Sequence, residues 1–557
     1  MFPRTAEGIA ARISARIGAD AGQTGSRAHT SGLVSRLRRV SPSAVLVSPW
    51  LLGAIVVAGA VLRVAQYVSD RALWADEAYL ALNLLNRPAL ELTEPLDFNQ
   101  TAPAPFLLLE KLAITTAGAS EYAVRFVPLV CGIASVGVFA LLARRLLHPA
   151  AAPLALLLFT VADGLIYFSS ELKPYAVDVL ATVALLAAGN SLLARRSSAT
   201  RRKTILVTAI LAVLVLASYA ALFVVAGVVL SLVLDVLWHR DRQRARRLGP
   251  VLATSVIAAA AATLLALRQT AGVTGGRSVL DPSWVSELGS AIASSLAYSP
   301  GALTTKLAAG VAAAGFIRIA LADPRRGLLL GSPFAFAMIA VFLNQYPLFA
   351  RTVLFLVPLV ALFVAEGVAA VTLLFRGRAR IVVAVTLTLL VSIAPVASAS
   401  THLWNPRTHE ELKTVLRSVA QNWRSGDTLY LHWGSQYAFR YYAECECFNN
   451  SGSRSLRKMW PFDERRSESE LGPAIVPRSS TLVVGGYEPN PLRYVAQIRP
   501  LERHGRVWVV FSHLANADEA TFMKSVLPHL LERRGTTQVR FEAPGAGAYL
   551  LDVDRRP

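Results

Sequence analysis

Two adjacent carboxylates, Asp76 and Glu77, stand just after the first long apolar run, in a segment that reads LWADEAY. Charged side chains next to lipid are costly unless they have a partner or a chemical role. A carboxylate held at a membrane surface could take a proton from a hydroxyl group during a transfer reaction. The alternative is that Asp76 caps a helix that begins at Glu77, whose charge then suits the first turn. The spacing alone favours neither interpretation.

A second polar segment reads SELKPYAVD and comes just before another apolar run. Its Pro174 suits the first turn of a helix, so Asp178 lies one turn inside that helix. Lys173 is a candidate for neutralising a bound phosphate group. The alternative is an ion pair between Lys173 and Glu171 or Asp178 that only holds the end of the helix.

Two other segments carry polar groups beside apolar runs. Arg351 follows NQYP and opens an apolar run. Its planar guanidinium could bind a phosphate, although an arginine at a helix end more often extends to the membrane surface. Asp97, Asn99 and Gln100 occur in PLDFNQTAP. They could donate to or accept from sugar hydroxyls, or form a polar turn before a helix.

Several familiar chemistries have no sequence support. The chain has no GxxxxGKS or GxxxxGKT phosphate-binding loop and no HExxH metal motif. Cys445 and Cys447 form a single Cys-x-Cys, whereas zinc ribbons need two such pairs, so they predict a local disulfide or two free thiols. A group that this chain transfers should therefore arrive already activated.

The composition indicates a membrane protein. Of 557 residues, 54% are hydrophobic and 17% are charged, against about 25% charged residues in soluble domains. Apolar runs recur at lengths near the roughly 17–25 residues of a membrane-crossing helix. We expect eleven spans, at 47–67, 121–143, 151–168, 175–194, 204–218, 220–238, 250–267, 304–321, 327–344, 351–373 and 381–398.

The net charge of +20 has a topological explanation. Lys and Arg cluster at alternate connections between the runs, as expected for cytoplasmic loops. These clusters are Arg144–Arg145, Arg195–Lys203, Arg240–Arg247, Arg325–Arg326 and Arg376–Arg380. The two clusters on either side of 204–238 both belong in the cytoplasm, so two short spans must separate them. The pattern places the N-terminus inside and residue 399 onward outside, and it makes a nucleic-acid partner unnecessary.

Three regions follow from this pattern. Residues 1–46 read as a disordered basic cytosolic tail, because they lack a continuous apolar segment. Residues 47–398 form the membrane domain, with a long first outer loop at 68–120. Residues 399–557 alternate strand-like and helical patterns, such as the alternation at 428–433, which predicts an extracytoplasmic α/β domain.

The first outer loop should contain two helices, at 77–86 and 102–116, that lie at the membrane interface. Trp74, Tyr79 and Phe106 fit the belt of aromatic residues expected there.

The segments LWADEAY, PLDFNQTAPAPFLLLEKL and SSELKPYAVD together resemble the C-type membrane glycosyltransferases, in the bacterial branch related to protein O-mannosyltransferases and to lipid A or core-modifying transferases. The resemblance continues through QYPLFARTVLFLVPL and, in the C-terminal domain, GDTLYLHWGSQYAFRYYA and GRVWVVFSH. It thus touches most of the chain. The acidic pair after the first span is its specific element.

The resemblance implies a polytopic fold of the C-type and an inverting transfer of a sugar from a polyprenyl-phosphate donor. The acceptor, which could be a lipid, a glycan or a protein, would lie on the extracytoplasmic side of the inner membrane. The family pattern makes Asp76 the general base and Glu77 the partner that orients or perturbs it. Asp178 and the adjacent Tyr175 would line the site, and Lys173 with Arg351 would neutralise the phosphate.

Some features stay open at this point. Related aminoarabinose transferases often carry a lysine before the prolines of the first loop, where this chain reads Asn99-Gln100-Thr101. A divalent metal ion is also open, since some C-type enzymes use one and others do not. An arabinofuranosyl or mannosyl transferase for cell-wall glycan is a variant of the same hypothesis. The alternative from another class is a lipid or glycolipid transporter or flippase, which should show polar groups near mid-membrane rather than at helix ends.

Overall fold

A computed structural model gives the architecture of the chain. It describes residues 49–194, 201–270, 283–343, 345–347, 351–445, 447–448, 456–465, 475–488, 490–498, 505–514, 517–532 and 536–552. The tail expected at 1–46 lies outside these residues. Residues 49–557 form one compact unit, and the boundary expected at residue 399 stays a prediction.

The N-terminal part of this unit is a bundle of apolar helices. Its helices are Pro49–Tyr67 (α1), Ala75–Asn86 (α2), Ala104–Ala117 (α3), Phe126–Leu146 (α4), Ala152–Thr160 (α5), Asp163–Tyr167 (α6), Tyr175–Leu193 (α7), Arg201–Leu216 (α8), Ala221–His239 (α9), Arg242–Thr270 (α10), Ser283–Ser295 (α11), Leu303–Ala322 (α12), Pro324–Phe342 (α13), Val357–Thr372 (α14) and Gly377–Thr401 (α15). Nine helical segments within the described residues are long and apolar enough to cross a membrane. The expectation of a polytopic helical membrane protein is confirmed.

Within the described residues, the number of membrane-crossing helices agrees only approximately with the eleven spans expected from the sequence. The expected span at 151–168 is a bent pair, Ala152–Thr160 and Asp163–Ser170, with a 57° angle between its halves. Counted as one crossing, this pair gives ten in the described part of the chain. The segment 204–238 is broken into α8 and α9, as the charge pattern requires, with Ser218 in the break. The apolar part of α8 covers only Val207–Leu216, which is shorter than the nine described helices that could cross a membrane.

Glycines bring two of the spans into backbone contact. A Cβ atom on Gly315 of α12 would collide with the carbonyl oxygen of Phe363, and one on Gly367 of α14 would collide with that of Val311. Small residues at such crossings let membrane helices approach closely and gain van der Waals contact. These two helices therefore pack backbone against backbone at this crossing.

Helix α2 is packed inside the protein rather than lying at the lipid interface as expected. Tyr79 is 6% exposed, and its ring lies 4.6 Å from that of Tyr437 in the C-terminal domain. Phe106 of α3 is also fully buried, so the expected membrane-surface role of these two aromatic residues is wrong. Helix α3 presents an apolar face outward, through Leu108, Leu109 and Leu112. The first loop thus forms a layer beneath the C-terminal domain.

The C-terminal part contains the expected α/β domain. Its strands are Thr428–Leu431 (β1), Phe462–Glu464 (β2), Ile475–Pro477 (β3), Leu482–Val484 (β4), Arg506–Ser512 (β5), Thr536–Ala543 (β6) and Ala546–Asp552 (β7). Five of them form a sheet of order β4-β1-β5-β7-β6. Strands β4, β1 and β5 are parallel, with Leu429 between Leu482 and Trp508. Strands β7 and β6 complete the sheet in antiparallel pairs.

Helices cover this sheet and connect its strands. They are Leu412–Asn422 (α16), Gln436–Glu444 (α17), Leu456–Met459 (α18), Pro491–Ile498 (α19), Ala517–Thr521 (α20) and Leu527–Glu532 (α21). Buried side chains of α16, α17 and the sheet share one hydrophobic core with those of α2 and α3. Cys445 and Cys447 form a disulfide at the end of α17. The shared core fixes the C-terminal domain against the first loop.

Candidate active site

Asp76 lies at the start of α2, where it contacts two cations from distant segments. Lys173 Nζ is 3.0 Å from its Oδ1, and Arg351 Nη1 is 2.7 Å from its Oδ2. The helix begins at Ala75 and its N-cap residue is Trp74, so Asp76 does not cap a helix starting at Glu77. The carboxylate is held by Lys173 and Arg351 instead.

Gln100 links this carboxylate to the lysine. Its side-chain oxygen accepts a hydrogen bond from Lys173 Nζ at 2.6 Å, and its Nε2 donates to Asp76 Oδ1 at 3.3 Å. Three segments that are far apart in the sequence thus meet at one point. The lysine pairs with Asp76 and Gln100 rather than with Glu171 or Asp178, so the ion pairs considered within its own segment do not form.

The charges around Asp76 set its protonation state. Burial raises the pKa of the Asp76 carboxyl, but Lys173, Arg351 and the hydrogen bond from Gln100 outweigh burial and bring the pKa below its usual value. An opposite charge within a few ångströms favours the ionised form of a carboxyl group. Asp76 is therefore an anion at neutral pH, with 16% of its side chain exposed.

Glu77 points away from this cluster and is fully buried. Both of its oxygens contact Arg125, at 2.8 and 2.5 Å, and Oε1 also accepts the backbone N–H of Leu172 at 2.9 Å. Burial raises the pKa of Glu77, but Arg125 and these hydrogen bonds lower it overall. The pair joins α2 to the start of α4 and to the loop that carries Lys173.

Glu171 is a buried carboxyl beside these charges. Neither of its oxygens has a hydrogen-bond partner in the described part of the chain. Burial and the charge of Glu77 raise its pKa to about 7, although Arg71 and Arg351 oppose that rise. Its protonation therefore changes within the physiological range, unlike that of Asp76.

Asp178 and Tyr175 lie in the first turn of α7, the helix that follows Lys173. Asp178 is buried and accepts a hydrogen bond from Ser218 Oγ at 2.6 Å, so it stabilises the break between α8 and α9. Tyr175 is half-buried, and its ring lies 5.3 Å from that of Phe168 in an edge-to-face contact. Both residues lie at the end of the bundle that carries Asp76.

The remaining two predicted residues of the first loop have other surroundings. Asp97 forms an ion pair with Arg87 at 2.7 Å, and its backbone exchanges hydrogen bonds with the side chain of Asn83. Asn99 is exposed and has a left-handed backbone with φ of 52°. Of the polar residues in PLDFNQTAP, only Gln100 contacts Asp76.

The C-terminal domain supplies residues that sequence patterns did not single out. Glu410 Oε2 accepts the backbone N–H of Ala75 at 3.1 Å, and its Oε1 lies 3.0 Å from His513 Nδ1. His409 stacks on Trp74 with ring centroids 4.6 Å apart, while Arg351 lies over the same indole at 5.2 Å. The sequence marks these residues only through the adjacent His409 and Glu410, which follow the last expected span.

Arg125 is another residue near Asp76 that the sequence analysis did not single out. It begins an apolar span, where a basic residue also fits as an interfacial anchor. Only the fold brings it to Glu77, 48 residues earlier in the chain. No periodicity or motif predicts such a pair.

The arrangement does not fit a divalent metal ion bound by Asp76. Lys173 and Arg351 already contact its two oxygens. Within the described ranges, no group of three or more His, Cys, Asp or Glu side chains could hold a metal ion. The site offers a buried lysine and a partly exposed arginine with a carboxylate between them. Such a group can bind an anion and accept a proton.

Comparisons with known proteins give a distant likeness of fold. No family model matches the chain, and no curated protein matches it. Among solved structures, it is similar to the archaeal oligosaccharyltransferase AglB from Archaeoglobus fulgidus in complex with an inhibitory peptide and a dolichol-phosphate, at 12% identity and a TM-score of 0.48, over 91% of this chain and 75% of that one.

A second solved structure with a comparable score is that of ArnT from Cupriavidus metallidurans bound to undecaprenyl phosphate. The identity is 13% and the TM-score is 0.46, over 89% of this chain and 98% of that one.

Proposed function

We propose that this chain is an inverting membrane glycosyltransferase that moves a sugar from a polyprenyl-phosphate carrier to an acceptor hydroxyl. The observation that carries the proposal is the contact of Asp76 with both Lys173 and Arg351, at 3.0 and 2.7 Å. It lies where the apolar bundle meets the C-terminal domain. A phosphate anchored in lipid and a polar acceptor can meet at such a boundary.

The two cations serve the phosphate of the donor. In the free site they neutralise Asp76, which lowers its basicity. A donor phosphate that enters between Lys173 and Arg351 shares their charge, so Asp76 loses part of this neutralisation and becomes a stronger base. Phosphate binding thus raises the proton affinity of the Asp76 carboxylate.

The transfer itself follows from this arrangement. The acceptor oxygen bonds to the anomeric carbon from the face opposite the phosphate, and its proton passes to Asp76. The bond between the anomeric carbon and the phosphate oxygen breaks, and its electron pair stays on the carrier phosphate. Lys173 and Arg351 stabilise the charge that develops there. The configuration at the anomeric carbon inverts.

Other residues around Asp76 take supporting roles in this proposal. Glu77 and Arg125 position α2, Gln100 orients Lys173, and Asp178 holds the helix break beneath the site. We place the site on the outer face of the inner membrane, with the N-terminus in the cytoplasm. The basic clusters between spans support this orientation.

Transfer assays with a panel of labelled polyprenyl-phosphate sugars test the proposal, in membranes that contain either the natural protein or Asp76→Asn. We expect Asp76→Asn to express normally and to lose at least about 100-fold of the rate, as a missing general base does. The matched control is Asp463→Asn, an exposed acid of the C-terminal domain. Near-normal turnover by Asp76→Asn contradicts the role of Asp76, and lipid translocation without transfer by the natural protein favours a flippase.

A further inference from the structure

The parallel strands of the C-terminal domain end beside the proposed site. Strand β1 runs into His432 and Trp433, and the neighbouring β5 runs into His513. In open α/β sheets, ligands bind at the carboxyl ends of parallel strands. These three residues are therefore where a ligand of this domain is expected.

Aromatic rings continue outward from this edge. The ring centroids of His513 and Trp433 are 6.1 Å apart, and those of Trp433 and Tyr487 are 5.0 Å apart. On the other side, the ring of Tyr79 in α2 lies 6.3 Å from His513. Tyr487 is 40% exposed, and the His513 side chain is 26% exposed. Trp433 and His432 are buried behind these two side chains, at 8% and 0% exposure. We call His432, Trp433, Tyr487 and His513 the aromatic face, of which Tyr487 and His513 form the exposed part.

The backbone of the aromatic face is strained. His513 has a left-handed conformation with φ of 54°. Gly434 packs so closely that a Cβ atom there would lie 2.6 Å from the His513 carbonyl oxygen. Non-glycine residues in this region cost free energy and cluster at ligand sites, where the surrounding structure enforces them. The orientation of the imidazole is thus imposed by the fold.

Glu410 connects the aromatic face to α2, the helix that carries Asp76. It accepts the backbone N–H of Ala75, the residue before Asp76, and its other oxygen contacts His513. Burial raises the pKa of Glu410, but the hydrogen bonds with His409 and His513 lower it to about 2. The carboxylate is therefore a constant link between Asp76 and the aromatic face.

The histidines of the aromatic face are paired with neighbouring carboxylates. Glu410 faces His409 and His513, and Glu519 contacts His432 at 3.1 Å and the indole N–H of Trp433 at 3.4 Å. A polyanion would meet these two carboxylates at close range. A neutral ligand with hydroxyl groups can use both the ring faces and the polar atoms.

We propose that the aromatic face binds the acceptor and that the acceptor presents a carbohydrate there. The proposal rests on the transfer reaction proposed above and names the substrate class of its second site. Sugar rings have an apolar face that packs on aromatic rings and hydroxyls that bond to imidazole and carboxylate groups. Tyr487 and His513 are the exposed rings for such contacts, and the buried indole of Trp433 holds both in place.

The test uses the full chain in lipid nanodiscs and three kinds of acceptor: short cell-envelope oligosaccharides, a peptide rich in Ser and Thr, and a short-chain glycerolipid. The variants are Tyr487→Ala and Tyr487→Phe, with Trp404→Ala as control, since Trp404 is 70% exposed and lies outside the aromatic face. Oligosaccharide binding by calorimetry, acceptor KM, donor KM and donor hydrolysis by water are measured for each protein.

We expect transfer to oligosaccharides, and at least a tenfold increase in their KM and Kd in Tyr487→Ala. Donor KM and donor hydrolysis should stay unchanged, while Tyr487→Phe and Trp404→Ala behave like the natural protein. Transfer to the peptide or the lipid alone overturns the carbohydrate acceptor, and an unchanged acceptor KM in Tyr487→Ala overturns the aromatic face. Donor hydrolysis without oligosaccharide binding refutes only this proposal, whereas no consumption of any donor refutes the transfer reaction as well.

Discussion

Glu77 and Arg125 form a two-pronged ion pair that is excluded from solvent, with Nε and Nη2 of the arginine 2.8 and 2.5 Å from the two carboxylate oxygens. The same guanidinium donates to the carbonyl oxygens of Arg71 and Ala72. Arg125 thus holds the segment that leads into α2, while Glu77 holds its first turn. The adjacent carboxylates of the acidic pair have different surroundings: Glu77 is closed off and Asp76 faces the site.

Removing the charge of Glu77 should therefore destabilise the protein. Glu77→Gln leaves Arg125 buried and without its counter-charge, which typically costs about 3–5 kcal/mol. We expect this loss in the free energy of unfolding, measured by SDS titration in mixed micelles. The matched control is Glu542→Gln, which breaks a half-exposed pair with Arg540 and should cost at most about 1 kcal/mol.

The double variant Glu77→Leu with Arg125→Met separates packing from charge. Replacing both partners of a buried ion pair by apolar groups is often neutral or stabilising. The double variant should recover most of the stability that Glu77→Gln loses. If Glu77→Gln unfolds like the natural protein, the ion pair does not hold α2 in place.

Lys173 should contribute mainly through the donor phosphate. Lys173→Met keeps the length of the side chain and removes its charge, so the phosphate loses one charged hydrogen-bond donor. Such bonds are worth about 1.5–3 kcal/mol, which predicts a decrease of about 10- to 100-fold in kcat/KM for the donor. Lys458→Met, at an exposed position of the C-terminal domain, is the control. An unchanged donor kcat/KM in Lys173→Met excludes the lysine from phosphate binding.

Glu171 should make stability depend on pH in a definite direction. Its folded-state pKa is about 7, against an ordinary value of 4.5. Because the folded state holds this proton more tightly, its contribution is complete below about pH 4.5 and is lost as the pH rises to about 7. A shift of this size corresponds to about 3 kcal/mol.

The variant Glu171→Gln isolates this contribution. The carboxamide stays neutral, so the variant should gain stability relative to the natural protein as the pH rises, with a constant difference above pH 7. Unfolding temperatures of both proteins between pH 4 and 8 measure the difference. A difference that does not change with pH shows that Glu171 does not titrate in this window.

Local patterns predicted most of the elements. The alternation at 428–433 gave β1, and the basic clusters on both sides of 204–238 required the break that the structure has at Ser218. Both features are specified by residues that are close together in the sequence. The position of α2 was missed because its amphipathic pattern fits lipid as well as the underside of a domain that lies more than 300 residues later.

The sequence marked several polar residues that the structure brings into contact, but it did not specify how they pair. Asp76, Gln100, Lys173 and Arg351 were all candidates, and the fold brings them together. Which cation meets which carboxylate depends on contacts between distant segments, and no spacing specifies them. In the same way, no spacing predicts the ion pair of Asp97 with Arg87, and the binding of a sugar by Asp97 stays a prediction.

The orientation of the chain in the membrane gives a prediction that is independent of chemistry. Ser425, in the turn before β1, and Arg378, in the first turn of α15, are both exposed. Arg378 begins the last span, and Ser425 follows it in the C-terminal domain. The positive-inside rule places the cluster Arg376–Arg380 in the cytoplasm. Ser425 should then face the outside.

Cysteine labelling measures this orientation. Cys445 and Cys447 are joined as a disulfide, so replacing Cys131 by alanine leaves no free native thiol. In spheroplasts of this background, a membrane-impermeant maleimide should label Ser425→Cys at once and Arg378→Cys only after the membrane is permeabilised. The opposite pattern would place the carboxylate of Asp76 on the cytoplasmic side, where a donor displayed on the outer face could not reach it.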